Sequence, residues 1–176
     1  MSGHSKWAQI KRQKGAEDAK KSKLFGKLGS LIATESRKAH GDMNSPGLRM
    51  LIDKAKKENM PKDTIERAVK KGLGGEAEVM EALTYEGYGP GGCALIIEAF
   101  TGNRNKASQE IKHILSKNGG SLATQGAAAW AFTKTDEGWE PNTTIPLSEE
   151  DGTTLSTIIE ELENNDEVQD VYTNAD

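Results

Sequence analysis

Ala82-Leu83-Thr84-Tyr85-Glu86-Gly87-Tyr88, then Gly89-Pro90-Gly91-Gly92, then Cys93-Ala94-Leu95-Ile96-Ile97-Glu98-Ala99-Phe100 reads as strand, turn and strand. Glycine and proline punctuate the middle, and the turn lacks the Lys-Ser/Thr ending of a phosphate loop. Residues 93–97 form an unbroken apolar run, and no apolar run in the chain exceeds six residues. That is strand length, far below the roughly 18 residues of a membrane span. Downstream, Asn103 or Asn105 can cap a helix whose inward residues are Ala107, Ile111, Ile114 and Leu115. Gly119-Gly120 ends it. A strand is expected within 121–132, over 127–132, and another over 139–147, where Pro141 and Pro146 favour an edge. Ser148 to Asp151 matches a capping box, followed by Leu155, Ile158, Ile159 and Leu162 at i, i+3, i+4 and i+7. A last strand covers 167–173. From residue 93 the order is β-α-β-β-α-β, the ferredoxin-like split βαβ pattern.

Upstream the period is helical. Leu24, Leu28, Leu31 and Ile32 make one stripe within 16–39. Gly26 and Gly29 weaken this helix by about 1 kcal/mol each against Ala and are expected to admit a close neighbour. A second helix spans 46–59, with Leu48, Leu51, Ile52 and Ala55 inward. A third starts at Pro61, turns Ile65, Ala68 and Val69 inward, and is expected to stop at Gly72. The fold class expected is α+β: a basic three-helix domain over 1–75, with a glycine linker at 72–75, then an acidic ferredoxin-like βαββαβ domain over 76–176.

The 176 residues carry a formal charge of −4. Residues 1–75 hold 18 Lys/Arg against 8 Asp/Glu, a net of +10, while 76–176 hold 5 against 19, a net of −14. A basic module joined to an acidic one points to a phosphate-bearing partner for the first. Apolar residues, counted with Gly and without Tyr, come to about 44%, which argues against disorder throughout, and one cysteine excludes an internal disulfide. No apolar core of a secretory signal is present near the start.

Catalytic chemistry finds little support. His4, His40 and His113 do not pair at metal-ligand spacing, and Cys93 sits in an apolar run as a buried thiol. The carboxylate pairs Glu149-Glu150 and Glu160-Glu161 fit helix capping and solvent faces. The expectation is a non-enzyme with no cofactor, no metal and no small-molecule substrate. The basic arm offers more. Lys6, Lys11, Arg12 and Lys14 precede any acid, and Lys20, Lys21, Lys23 and Lys27 continue the run. Trp7 lies among these cations, placed to stack on a base or to pack on the helical domain.

Several segments together resemble the YebC/PmpR family, which includes the mitochondrial translational activator of cytochrome c oxidase subunit I. They are Gly3-His4-Ser5-Lys6-Trp7, Ile10-Lys11, Asp53-Lys54-Ala55-Lys56, Asn59 to Ala68, Tyr85 to Gly92, Asn103-Arg104-Asn105, Lys117 to Gly120 and Asp170 to Asp176. The resemblance implies a helical N-terminal domain with two α/β domains, one inserted in the other. It implies DNA-binding transcriptional regulation, or a translation factor acting with the ribosome. Where relatives enter the inserted domain, after Phe132, this chain runs from Lys134 to Gly138 straight into the closing elements. It resembles a shortened member. Gly29-Ser30 and Gly102 also depart from the residues usual there, a basic residue and an Asp, and the Lys11-Arg12-Gln13-Lys14 run lacks the usual histidine.

The function expected is a nucleic-acid-binding regulator of gene expression, first as a ribosome- or RNA-associated translation factor. A DNA-binding transcriptional regulator is the alternative, and a protein–protein adaptor is more distant. The arm and first helix are expected to meet phosphate. Asn103, Arg104 and Asn105 are expected as a polar contact near Tyr88 and the glycine turn, beside a capping role. A monomer in the cytoplasm is the default, with the mitochondrial matrix as the other location.

Overall fold

A computed structural model describes residues 18–74 and 79–176. The chain divides into two compact units, with one boundary between Met80 and Glu81. In the helical unit, α1 (Asp18–Lys38), α2 (Pro46–Lys57) and α3 (Lys62–Leu73) bury one apolar stripe each. Leu28 and Ile32 of α1, Leu48, Ile52 and Ala55 of α2, and Ile65, Ala68 and Val69 of α3 form its core, with Met60 between the last two helices. Pro46 opens α2 at a position where its missing N–H costs nothing. Pro61 stands one residue before α3 as its N-cap.

The close approach of helices lies elsewhere than the sequence suggests. Gly26 has nothing within 4 Å of where a Cβ would stand, and Gly29 meets only the end of Met60. The crossing residue is Gly72, which does not stop α3 but lies buried within it. A Cβ there would overlap the Ala33 carbonyl oxygen of α1. Beside it the buried Ser36 hydroxyl donates to the Val69 carbonyl at 2.8 Å.

The α/β unit is built on β1 (Glu81–Tyr88), β2 (Ala94–Thr101), β3 (Ser121–Ala123) and β6 (Val168–Thr173). They form one antiparallel sheet in the order β3-β1-β2-β6. β1 and β2 pair from Glu81↔Thr101 to Tyr88↔Ala94 around a tight turn at Pro90–Gly92, where Gly91 and Gly92 have positive φ. Helix α4 (Arg104–Lys117) carries the chain over β1 to β3, a split crossover, and α5 (Glu149–Asn164) leads to β6 at the other edge. Both helices pack on one sheet face. Ile111, Ile114 and Leu115, with Leu155, Ile158 and Leu162, cover Cys93, Leu95, Ile97 and Ala99.

This is the expected mixed architecture, three helices followed by an antiparallel sheet with helices, but one strand comes from a different place. The position beside β2 is filled by β1, from upstream, not by the strand expected over 139–147, and the edge strand is β3 at 121–123, not residues 127–132. Residues 124–128 form a turn, with Gly126 at φ +90, and Ala129–Ala131 is a single 3₁₀ turn. Its small side chains fit a pleated surface poorly. β4 (Phe132–Thr135) and β5 (Gly138–Pro141) make a separate hairpin. The strand expected over 139–147 ends at Pro141, and beyond it Ile145 alone makes a bridge, to Ala175. Phe132, Ala128 and Ala131 cover the second sheet face at Ala94 and Ile96.

Candidate nucleic-acid interface

Residues 18–74 carry 14 Lys/Arg against 7 Asp/Glu. Some of these cations are occupied. Lys38 pairs with Glu35 at 2.8 Å and Lys62 with Glu66 at 3.9 Å. The Arg67 guanidinium donates to the Thr64 hydroxyl and the Asp63 carbonyl. Lys23, Lys27 and Arg37 also have interaction partners. On α2 the pattern changes. Arg49, Lys54, Lys56 and Lys57 are exposed, and none makes an ion pair among the described residues. Arg49, Lys54 and Lys57, together with Pro46, Met50 and Asp53, line an open concavity of about 450 Å³. Met50 is 67% exposed on it.

The α/β unit shows the reverse. Residues 79–176 hold 5 Lys/Arg against 17 Asp/Glu. Four of the five are held by acids: Arg104 by Glu81, Lys106 by Glu167, Lys117 by Glu161 and Lys134 by Glu98, at 2.7–3.3 Å. Phosphate would find a repulsive field and mostly engaged cations there, and among the described residues the unoccupied cations lie in the helical unit, Lys112 apart.

Of the arm residues, Lys6, Trp7, Lys11, Arg12 and Lys14 lie outside the described residues. Lys20 falls in the first turn of α1, Lys21 is exposed, and Lys23 and Lys27 are half-buried. The asparagine–arginine cluster is not beside Tyr88. The β1–β2 register sets Glu81 against Thr101, so residues 103–105 follow at the far end of the hairpin from the glycine turn. Asn103 caps α4, its side-chain oxygen accepting from the Lys106 N–H at 3.0 Å. Arg104 makes a two-pronged contact to the Glu81 carboxylate at 3.1–3.2 Å, and the Tyr85 hydroxyl donates to the Arg104 carbonyl. The Arg104 guanidinium beside it draws the Glu81 carboxyl below its ordinary pKa. Asn105 is exposed in the first turn of α4.

Two features escaped the sequence reading. Glu86 is buried, and its carboxylate accepts the N–H groups of Gly126, Ala128 and Ala129 at 2.6, 2.9 and 2.6 Å. Burial works to raise its pKa, and the three N–H bonds together outweigh that, leaving it lowered. The Tyr88 hydroxyl donates to the Ala127 carbonyl in the same loop. Trp130 is held there by an N–H bond to the Ala127 carbonyl at 2.9 Å, and the residue is 64% exposed. The second feature is the closing tail. The buried Asn174 accepts from the Ala94 N–H at 2.7 Å, and Ile145 bonds Asn174 and Asp176 along the backbone. The Asp170–Asp176 segment that carried part of the resemblance thus serves the fold.

Groups of catalytic type are dispersed. Cys93 is buried and its thiol is pushed up by burial. His40 and His113 are exposed. Among the described residues there is no group of three or more His, Cys, Asp or Glu arranged for a metal ion, and no helix long and apolar enough to cross a membrane.

Comparison with known proteins gives concordant matches. The family model of the TACO1/YebC protein N-terminal domain matches residues 5–75. The model of the TACO1/YebC second and third domain matches 80–137 and 133–175. A probable transcriptional regulatory protein of Fervidobacterium nodosum is 53% identical over 136 residues, 76% of this chain and 54% of its own. One of Chlorobaculum parvum is 45% identical over 169 residues, 95% of this chain and 67% of its own. The crystal structure of a conserved hypothetical protein from Aquifex aeolicus superposes with a TM-score of 0.79 at 28% identity, covering 90% of this chain and 91% of that one. The chain spans about half the length of most of these curated relatives. The two segments of the second match overlap at 133–137, on the β4–β5 hairpin. With both models together covering nearly all of it, the chain belongs to the TACO1/YebC family.

Proposed function

We propose that this protein is a nucleic-acid-binding regulator of gene expression that acts by binding and not by catalysis. The observation that carries this reading is the segregation of charge: +10 over residues 1–75 against −14 over 76–176. Phosphate contacts supply the sequence-independent part of nucleic-acid affinity, and this chain concentrates its cations in one module. The arm residues Lys6, Lys11, Arg12 and Lys14, with Lys20, Lys21, Lys23 and Lys27 of α1, serve as point charges on the backbone. Trp7 stacks on a base. The α/β unit, with four of its five cations already paired, positions the basic module or meets a basic protein. Asn103, Arg104 and Asn105 serve the fold first, since capping and the Glu81 pair already engage two of them.

RNA on the ribosome, in the cytoplasm, is the first reading of the target. No recognition-helix motif is readable in the basic module, and backbone-directed binding suits a structured RNA. Duplex DNA is the second, favoured by the name of the Fervidobacterium relative, a probable transcriptional regulatory protein. Sedimentation of the tagged protein on a sucrose gradient at physiological salt separates them. Co-migration with ribosomal particles, abolished by RNase and untouched by DNase, is the expected result. A DNase-sensitive fast fraction instead would put transcription first. A free peak under every condition would count against both.

A further inference from the structure

Some described cations of the helical unit are held by neighbours, while others, Lys21, Lys70 and Lys71 as well as those of α2, are not. Lys38, Lys62 and Arg67 are held by neighbours of their own helices. Arg49, Lys54 and Lys57 are not, though Asp53 stands four residues from both Arg49 and Lys57, at the spacing where ion pairs form on a helix. These three cations point into solvent around a concavity whose floor includes Met50 and Pro46. An exposed methionine has no partner to bury it, and its unbranched thioether adapts to varied flat surfaces.

We propose that the outward face of α2 is a second contact surface for nucleic acid, and that its ligand is a single strand. Arg49, Lys54 and Lys57 hold phosphates, and an unstacked base lies on Met50 and Pro46. The inference rests on the reading that the basic half binds nucleic acid, and it adds a site the arm does not supply. Arg49 and Lys57 stand two helical turns apart, about 12 Å along the axis, so they address different phosphates. Asp53 between them repels phosphate from the middle of the row. It leaves that place to a donor, the exocyclic amine of a base or a ribose hydroxyl. A duplex keeps its base faces stacked and cannot use the apolar floor, whereas a single strand turns a base onto an apolar platform and its phosphates onto a cationic rim.

The test is fluorescence anisotropy with the full chain and a labelled decamer, as single-stranded RNA, as single-stranded DNA of the same sequence, and as duplex, across a salt series. The RNA strand is expected to bind tightest, since only it offers a ribose 2′-hydroxyl to Asp53, and the duplex weakest. The variant R49A/K54A/K57A is expected to bind about tenfold more weakly, with a salt slope shallower by about 2, as three lost contacts at about 0.7 each require. Met50→Ala is expected to weaken binding and leave the slope alone. The variant K38A/K62A/R67A removes equal charge from partnered positions and is expected to change the slope by less than half as much. Circular dichroism checks that each variant remains helical. Four outcomes overturn the proposal: an unaltered slope in R49A/K54A/K57A while K11A/R12A/K14A loses binding; equal effects of the two triple variants; tighter binding of the duplex; or poly-glutamate competing as well as the unlabelled strand. If neither the α2 variant nor the arm variant affects binding, the proposed function itself fails.

Discussion

Glu86 is a charged group in the sheet of an acidic unit, and three N–H bonds account for its place there. A buried carboxylate without partners would be strongly unfavourable, and here each oxygen is engaged by the loop that carries Trp130. Glu86→Ala leaves three loop donors without that acceptor, at a cost of about 1–3 kcal/mol for each one that water does not reach. We expect a total loss of about 2–4 kcal/mol, read from urea unfolding followed by tryptophan fluorescence. The pH dependence follows from the lowered pKa. A carboxyl whose folded pKa is depressed gives its full stabilisation above the ordinary glutamate value of about 4.3, and loses it as pH falls through the lower folded value. The stability gap between the wild type and Glu86→Gln should therefore be widest near pH 7 and narrow below about pH 4. A gap that stays constant down to pH 3 would show that the carboxylate charge plays no part.

Among the elements, the helices were legible and the loop-rich segments were not. The stripes of α1, α2, α4 and α5 gave their buried residues directly, because each repeats over about two turns. Asn103 and Ser148 cap as their spacing suggested, each accepting from the N–H three residues on. Residues 127–132 misled because Ala-Ala-Ala-Trp-Ala-Phe is apolar, and apolarity alone does not separate a strand from a turn packed on a sheet face. Nothing local says that Glu86, 40 residues upstream of Gly126, claims this segment's backbone. The glycines misled for a related reason: a crossing point depends on which helices meet. At Gly72 a Cβ meets backbone, which cannot move aside as a flexible side chain can. Gly72→Ala is therefore expected to destabilise the helical unit by about 1–3 kcal/mol, despite alanine's better helix propensity, while Gly26→Ala should be neutral or stabilising. Thermal unfolding followed at 222 nm compares them. Equal midpoints for the two variants would remove Gly72 from the helix crossing.

At the scale of the molecule, net charge conceals the organisation. A chain of formal charge −4 has a cationic first part, +10 over residues 1–75, and an anionic second part, −14 over 76–176. That division was legible in the residues, as was the family. The distribution of ion pairs was not, since helix spacing predicts pairs such as Arg49–Asp53 as readily as Lys62–Glu66, and only the latter forms. The contrast between occupied cations in one unit and unoccupied ones on α2 thus came from structure. The central claim is that the basic half binds nucleic acid through its phosphates. Its most direct test is the affinity of the full chain for a labelled RNA strand from about 50 to 300 mM salt, with K11A/R12A/K14A alongside. The account predicts a log–log slope of about −3 or steeper, as four or more phosphate contacts at about 0.7 each require, and a shallower slope by about 2 in the variant. Absence of binding at the lowest salt, or a slope near zero shared by both proteins, would contradict it.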